Sequence, residues 1–448
     1  MPRLFGTDGI RGVANVDLRP THAYALGRAT SHQLLGGTRR LVVGQDTRRS
    51  GDMLVASVIS GATSMGSDVH RLGVCPTPAL SFIAGRGGFG AGIMVSASHN
   101  PAEDNGLKVL DGDGLKLDDG LEDELEALIW RADELASPTG GSIGLEVDGR
   151  GLLDSYRADR LALARSIHSP LRLSLDCANG SGGVVAPEIL AGTGAMVTVH
   201  FDQPDGMNIN LGCGATAPAA LAAMVGTDRA DVGFCLDGDA DRCVAIDEGG
   251  HVVDGDQLIG IIALERLARG ALAESTVVVT ILSNGGLDTA VEAAGGRVVR
   301  TPVGDKHIHD AMLVSGAGLG GEKSGHVIVM EHAPTGDGIV TALEILAILE
   351  RTGRPLSELA ARIALYPQQQ RNVPVRHKEG WQADRQLAEA VLAAKAELAG
   401  HGRVIVRPSG TEETLRIMIE GDDAARILTL ADELSKLAAD RLNGERLD

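Results

Sequence analysis

Apolar residues along the chain form short β-branched runs separated by longer stretches of helical period, and one arrangement of the two recurs three times. Each copy is an apolar strand, a polar loop containing glycine, an amphipathic helix and a second strand. The first copy starts at Leu41-Val42-Val43, turns over residues 44–51, runs as a helix over about 52–65 and returns near Val69. The second starts at 171–175, turns at 176–183 and returns at 195–201. The third starts at 277–282, turns at 283–286 and returns at 297–303. Strands alternating with helices predict α/β units, and the recurrence predicts that the three are related.

Breaks in the pattern mark the joints. Small and polar residues at 137–144, acidic and Gly-rich residues at 247–255, and Pro and Gln at 366–374 interrupt the periodicity. They predict domains at 1–150, 151–252, 253–366 and 367–448. The last reads helix (386–398), strand (404–406), strand (415–419) and helix (424–442), a smaller α+β unit and not a fourth copy.

With 448 residues, 44% hydrophobic and 23% charged, the chain has the composition of a folded multi-domain protein. Aromatics are only 2%, so the cores must rest on Leu, Val, Ile and Ala. A net charge of −19 argues against nucleic acid, which needs concentrated Lys and Arg. It does not exclude an anionic small molecule, because screening lets a local cationic pocket act on an acidic protein. Five cysteines without a C-x-x-C pair read as reduced core residues of a cytosolic protein. Neither a signal-peptide pattern nor an apolar run near the membrane-spanning length occurs, so the expected location is the cytoplasm.

Four segments carry chemistry. In GIMVSASHNPAEDNGLK (92–108), a buried strand breaks at Ser96-Ala97-Ser98-His99-Asn100-Pro101, because proline cannot donate to a sheet ladder. Ser98 therefore sits just past a strand's carboxyl end, where open α/β sheets bind ligands; a polar turn capping its own backbone is the alternative. In DVGFCLDGDADRCVAID (231–247), Asp237, Asp239 and Asp241 alternate between two strands. Such carboxylates repel unless a hard cation joins them. Their spacing imitates a calcium-binding EF-hand loop, but the sixth place holds Arg242 where glycine is required, and strands flank it instead of helices. GGEKSGH (320–326) offers Glu322 and Ser324 to sugar hydroxyls and His326 as a proton shuttle. In VIVRPSGTEETLR (404–416), Arg407, Ser409, Gly410 and Thr411 suit a phosphate cradle, since Arg meets phosphate bidentately and a Gly turn aims N–H groups at an anion.

Together, in this order and one per proposed domain, the four segments resemble the α-D-phosphohexomutase superfamily over essentially the whole chain. The resemblance implies four domains around a central cleft: three related α/β/α sandwiches with mixed sheets, then a smaller α+β domain. It implies that Ser98 carries a phosphoryl group and that Asp237, Asp239 and Asp241, with Ser98, hold Mg²⁺. Glu322 and Ser324 would bind sugar hydroxyls, and Arg407, Ser409, Gly410 and Thr411 the phosphate that is not reacting. Arg11, His99, Lys108 and His326 are implied as further catalytic residues, and Arg242 and Asp305 as further substrate contacts. FGTDGIRG near the start, DGMNINLGCG at 205–214 and Val303-Gly304-Asp305 resemble the bacterial branch acting on glucosamine phosphate. That branch makes glucosamine 1-phosphate from the 6-phosphate, on the way to UDP-N-acetylglucosamine and cell wall. A hexose 1,6-bisphosphate activator, a sugar-phosphate substrate and a homodimer are implied with it. Mannose or glucose phosphate mutases are the nearest alternatives, then a magnesium-dependent sugar phosphatase, and last a non-catalytic sugar-phosphate binder.

Overall fold

A computed structural model describes residues 4–6, 8–34, 37–409 and 413–443. Its first sheet has seven strands: β1 (Phe5–Gly6), β2 (Gly9–Val13), β3 (Arg40–Gln45), β4 (Asp68–Val74), β5 (Ala91–Val95), β6 (Asp104–Asp111) and β7 (Glu146–Asp148). They lie in the order β1-β2-β6-β5-β3-β4-β7. The second sheet contains β8 (Arg172–Asp176), β9 (Met196–His200), β10 (Val232–Leu236), β11 (Cys243–Ile246) and β12 (Val252–Val253), ordered β12-β11-β10-β8-β9. The third contains β13 (Thr276–Thr280), β14 (Arg297–Thr301), β15 (Leu319–Gly321) and β16 (Val327–Val329), ordered β14-β13-β15-β16.

One four-strand module underlies all three sheets. In chain order its strands lie 2-1-3-4, the first three parallel and the fourth antiparallel to the third. The third strand is central and buried at every position in each copy: β5, β10 and β15. Burial on both faces is why β5 and β10 read as continuous apolar runs and not as alternating ones, whereas β15 is a short Leu-Gly-Gly strand whose two glycines read from sequence as part of a loop. Side chains seal the ends of the helices between them. Asp337 caps the helix Gly338–Thr352 by accepting from the Ile339 and Val340 N–H groups, and it also accepts from Tyr156 Oη at 3.0 Å and Arg160 Nε at 3.2 Å. One buried carboxylate thus starts a helix and ties it to the helix Leu153–Arg165; such a cap contributes about 1 kcal/mol.

A fourth sheet of β17 (Gln368–Pro374), β18 (Gly402–Pro408) and β19 (Thr414–Gly421) is antiparallel, in the order β17-β19-β18. Helices Arg385–Glu397 and Ala424–Leu442 supply Leu387, Val391, Leu430 and Leu434 to its core. Residues 366–374, where Pro and Gln mark a joint, are mostly β17. That edge strand buries only Val373 and faces Gln and Arg to water, so apolar periodicity could not reveal it. The chain forms two compact units, Met1–Ile281 with Ala294–Arg362, and Leu282–Ala293 with Ile363–Asp448. Among the described residues no helix is long and apolar enough to cross a membrane.

Candidate active site

Three of the four chemical segments occupy the same connection of the repeated module, the one from its third strand to its fourth. Ser98 lies between β5 and β6, Asp237, Asp239 and Asp241 between β10 and β11, and Glu322, Ser324 and His326 between β15 and β16. All three belong to the first compact unit.

The loop bearing Ser98 is held from below. Ser98 has φ = 52°, in the left-handed region that a non-glycine residue enters only at a cost. Its N–H is placed 2.9 Å from Ser96 Oγ, which in turn donates to Asp46 Oδ2 at 2.6 Å. Arg48 Nε donates to the same Asp46 oxygen at 2.9 Å, and both side chains are wholly buried. The rest of the Arg48 guanidinium donates to the carbonyls of Ser98 (3.0 Å), Asn100 (2.8 Å), Pro101 and Asp104. Asn210 Nδ2, from the second module, donates to the Ser98 and Asn100 carbonyls as well. Carbonyls of a loop that belongs to no ladder are thereby satisfied, and the strained turn is fixed.

Above the loop, Ser98 Oγ donates to Asp237 Oδ2 at 2.6 Å and lies 3.4 Å from His99 Nδ1. Gly238 makes this approach possible, because a Cβ there would stand 2.6 Å from the Ser98 carbonyl oxygen. Gly325 (φ = 92°) does the same for the next pair of loops, where a Cβ would meet the Cys243 carbonyl at 2.3 Å. The glycines in these segments serve backbone-to-backbone docking of neighbouring loops. Burial, then the charges of Arg242 and Arg11, pull the His99 imidazole down to about 4, so it is neutral.

Asp237, Asp239 and Asp241 are buried, with one oxygen from each lying within 4.8 Å of the others. They are not equivalent. Asp239 Oδ2 accepts from Lys108 Nζ at 2.8 Å and from Thr77 Oγ1 at 2.6 Å. Burial would raise Asp241, but Lys108, His326 and Arg242 hold it well below the usual carboxylate range. Asp237 is pushed far above that range by burial, then by Asp241 and Asp239. The Oδ1 atoms of Asp239 and Asp241 are buried without a hydrogen-bond partner. Three crowded oxygen ligands with unsatisfied lone pairs fit a hard divalent cation.

His326 is buried between Asp241, 3.7 Å from Nδ1, and Asp305, 3.6 Å from Nε2. The Gly336 N–H donates to Nε2 at 3.1 Å. Glu322 Oε1 accepts from the Gly304 N–H at 3.2 Å, and Oε2 lies 3.4 Å from Ser324 Oγ. Arg11 pairs with Asp8, whose carboxylate also meets Lys108 and Lys116. Lys108, Lys116, Asp241 and Asp305 line one cavity of about 200 Å³. The structure thus gathers Ser98, His99, Lys108, Arg11, Asp237, Asp239, Asp241, Arg242, Asp305, Glu322, Ser324 and His326 around adjoining loops of one unit. Arg407 and Ser409 close β18 in the second unit, while Gly410 and Thr411 lie outside the described residues. Sequence reading missed Asp8, Asp46, Arg48, Thr77, Lys116 and Asn210. The one available signal was charge placed directly after a buried strand, as in Gln45-Asp46-Thr47-Arg48.

Comparison with known proteins agrees with this architecture. The chain matches phosphoglucomutase/phosphomannomutase alpha/beta/alpha domain I over residues 2–136, domain II over 153–250, domain III over 254–366 and the C-terminal domain over 371–437. It belongs to the phosphoglucomutase/phosphomannomutase family and is an enzyme of the phosphohexomutase class. Phosphoglucosamine mutase of Symbiobacterium thermophilum is 47% identical over 98% of this chain and 99% of its own length. That of Moorella thermoacetica is 46% identical over 98% and 100%. Among solved structures, a phosphoglucomutase/phosphomannomutase family protein from Burkholderia thailandensis superposes with a TM-score of 0.83 at 24% identity, covering 99% of this chain and 98% of the other. N-acetylphosphoglucosamine mutase of Aspergillus fumigatus, in complex with GlcNAc-6P and magnesium, gives 0.69 at 21% identity, covering 98% and 96%.

Proposed function

We propose that the enzyme interconverts glucosamine 6-phosphate and glucosamine 1-phosphate through a phosphorylated Ser98 and a bisphosphorylated sugar. The chemistry rests on Ser98 Oγ, buried, strained and 2.6 Å from a carboxylate of the acidic cluster. The sugar assignment rests on curated relatives at 42–47% identity, all bearing the same name.

In the forward half-reaction the bond between phosphorus and Ser98 Oγ breaks as a sugar hydroxyl oxygen bonds to phosphorus; the hydroxyl proton leaves to a base in the site, and Ser98 Oγ takes up a proton from an acid there to become the free hydroxyl. The return half-reaction runs the same exchange with the sugar's other phosphate, restoring phosphoserine. Phosphoryl transfer asks a protein for placement and charge neutralisation more than for covalent chemistry. Arg11 and Arg242, whose positive charge is felt at neutral His99, would supply charge near Ser98. Lys108 stays charged despite burial because Asp239, Asp8 and Asp241 surround it. Glu322 and Ser324 would orient sugar hydroxyls, and Arg407 and Ser409, with Gly410 and Thr411, would hold the idle phosphate. Asp237, Asp239 and Asp241, together with a phosphoserine oxygen, would hold Mg²⁺, which when bound draws charge from the transferring group. A hexose 1,6-bisphosphate would rephosphorylate Ser98 after loss of its phosphate.

The deciding assay supplies glucosamine 6-phosphate and a catalytic amount of hexose 1,6-bisphosphate and follows glucosamine 1-phosphate. Glucose and mannose phosphates are run in parallel, with free phosphate measured. Net phosphate release would make the protein a phosphatase, and a larger kcat/KM on mannose 1-phosphate would move it to the mannose branch of the family.

A further inference from the structure

Five charged side chains and the His326 imidazole form a closed ring in which acids alternate with basic groups. Lys108 meets Asp8 at 3.4 Å, Asp8 meets Lys116, and Lys116 Nζ meets Asp305 Oδ2 at 2.5 Å. Asp305 faces His326 at 3.6 Å, His326 faces Asp241 at 3.7 Å, and Asp241 returns to Lys108 at 3.6 Å. Asp8, Lys108 and Lys116 come from the first module and its leading strands, Asp241 from the second, and Asp305 and His326 from the third. Lys116 is the member with no place in the chemistry described above. It is also the one that joins the N-terminal loop, where Asp8 pairs with Arg11, to the start of the helix Asp305–Ser315.

Neighbouring charges repeat the connection with reversed sign. Lys306, next to Asp305, reaches back to Asp119, three residues beyond Lys116. Exposure separates the two pairs: the Asp119 side chain is 74% exposed, whereas those of Lys116 and Asp305 are 20% and 14% exposed. A screened surface pair contributes little, while a largely desolvated one fixes geometry. Burial alone would discharge Lys116, yet Asp305 and Asp8 keep it firmly cationic.

We propose that Lys116 is a positioning residue that sets Asp305 against His326, and thereby the sugar-side wall of the site, by clamping Asp305 and Asp8 to one ammonium. The inference rests on the mutase reading, in which Asp305 contacts substrate. Without Lys116, Asp305 keeps the Lys306 N–H on Oδ1 at 2.9 Å, but Oδ2 is left with only its longer approach to His326 and turns toward water.

The test is a double-mutant cycle between Lys116→Met and Asp305→Asn, with kcat and KM for glucosamine 6-phosphate read separately. Lys116→Gln stands in if the methionine variant melts well below the wild type. Because misplacing a group that contacts the sugar weakens substrate binding without removing the reacting groups, Lys116→Met is expected to lower kcat/KM by about ten- to hundredfold. Most of the loss should lie in KM, and phosphate on Ser98 by intact mass should be unchanged. In the Asp305→Asn background the same substitution should cost less than about threefold, since residues acting through one contact are non-additive. Lys116→Arg should recover most of the loss. Full additivity with Asp305→Asn, or kcat/KM within about twofold of wild type for Lys116→Met, would overturn the proposal. Failure of the mutase reading would show in the wild type assayed alongside, and failure of this inference only in the variants.

Discussion

Single side chains here are set by what surrounds them more than by their own type. Ser96 and Ser98 are two residues apart and both buried, yet Ser96 spends its hydroxyl on Asp46 while Ser98 points its own at the acidic cluster. Ser98→Ala should therefore fold, keep its melting temperature within a few degrees and lose activity on the order of a thousandfold or more. Phosphate should vanish from the intact mass at the same time. Persistent activity, with phosphate mapped to Ser96, would reverse the assignment. Asp176 is a quieter case: it accepts from the Ala178 and Gly214 N–H groups, yet burial raises it to about 6. The native state then binds a proton there more tightly than the unfolded chain does. Stability from this residue falls as pH rises from about 4 to about 6, by roughly 3 kcal/mol, and is flat above. Denaturant titrations of the wild type and Asp176→Asn across that window should show the slope in the first only; equal slopes would place Asp176 in an ordinary environment.

At the scale of elements, the sequence was informative wherever packing dictates composition. Strands buried on both faces read as apolar runs, so β3, β8 and β13 could be placed from the chain alone, as could the loops that follow β5 and β10, while the half-exposed return strands β4, β9 and β14 showed through their β-branched residues. Strand β17 could not, because an edge strand with one buried residue carries no apolar signature. Nor could the support under Ser98, since nothing local in Asp46-Thr47-Arg48 says which carbonyls a guanidinium about fifty residues earlier will meet. That support now yields a test. Arg48 satisfies four carbonyls and a buried carboxylate, and removing one partner of a buried pair costs about 3–5 kcal/mol. Arg48→Met should lose that much in chemical denaturation. Arg48→Lys should recover little of it, because an ammonium cannot reproduce the planar fork. Full rescue by lysine would mean that charge alone, and not the fork, holds the loop.

For the molecule as a whole, the repeated module explains how three of its four sheets make one site. Each copy sends the same connection forward, and the copies differ in what that loop carries: a hydroxyl, a trio of carboxylates, an acid with an imidazole. Joining such loops concentrates charge, and the trio is where the concentration is least compensated. Asp239 and Asp241 share Lys108, while Asp237 has Ser98 Oγ and the Arg242 N–H and remains raised by burial and by its two neighbours. Without a cation the cluster opposes folding; with one bound it supports it, by about 2.7 kcal/mol at roughly a hundred times Kd. Mg²⁺ should raise the wild-type melting temperature in a saturable way. Asp237→Asn keeps an oxygen acceptor for Ser98 while removing the carboxylate whose ionisation its two neighbours oppose. Its metal-free melting temperature should therefore equal or exceed that of the wild type, and its response to Mg²⁺ should be lost. Calorimetry with chelator and then Mg²⁺ separates the two effects without reference to turnover. A variant that responds to Mg²⁺ as the wild type does would place the metal elsewhere. One that melts several degrees lower without metal would mean that Asp237 is a structural acceptor whose charge the fold already compensates.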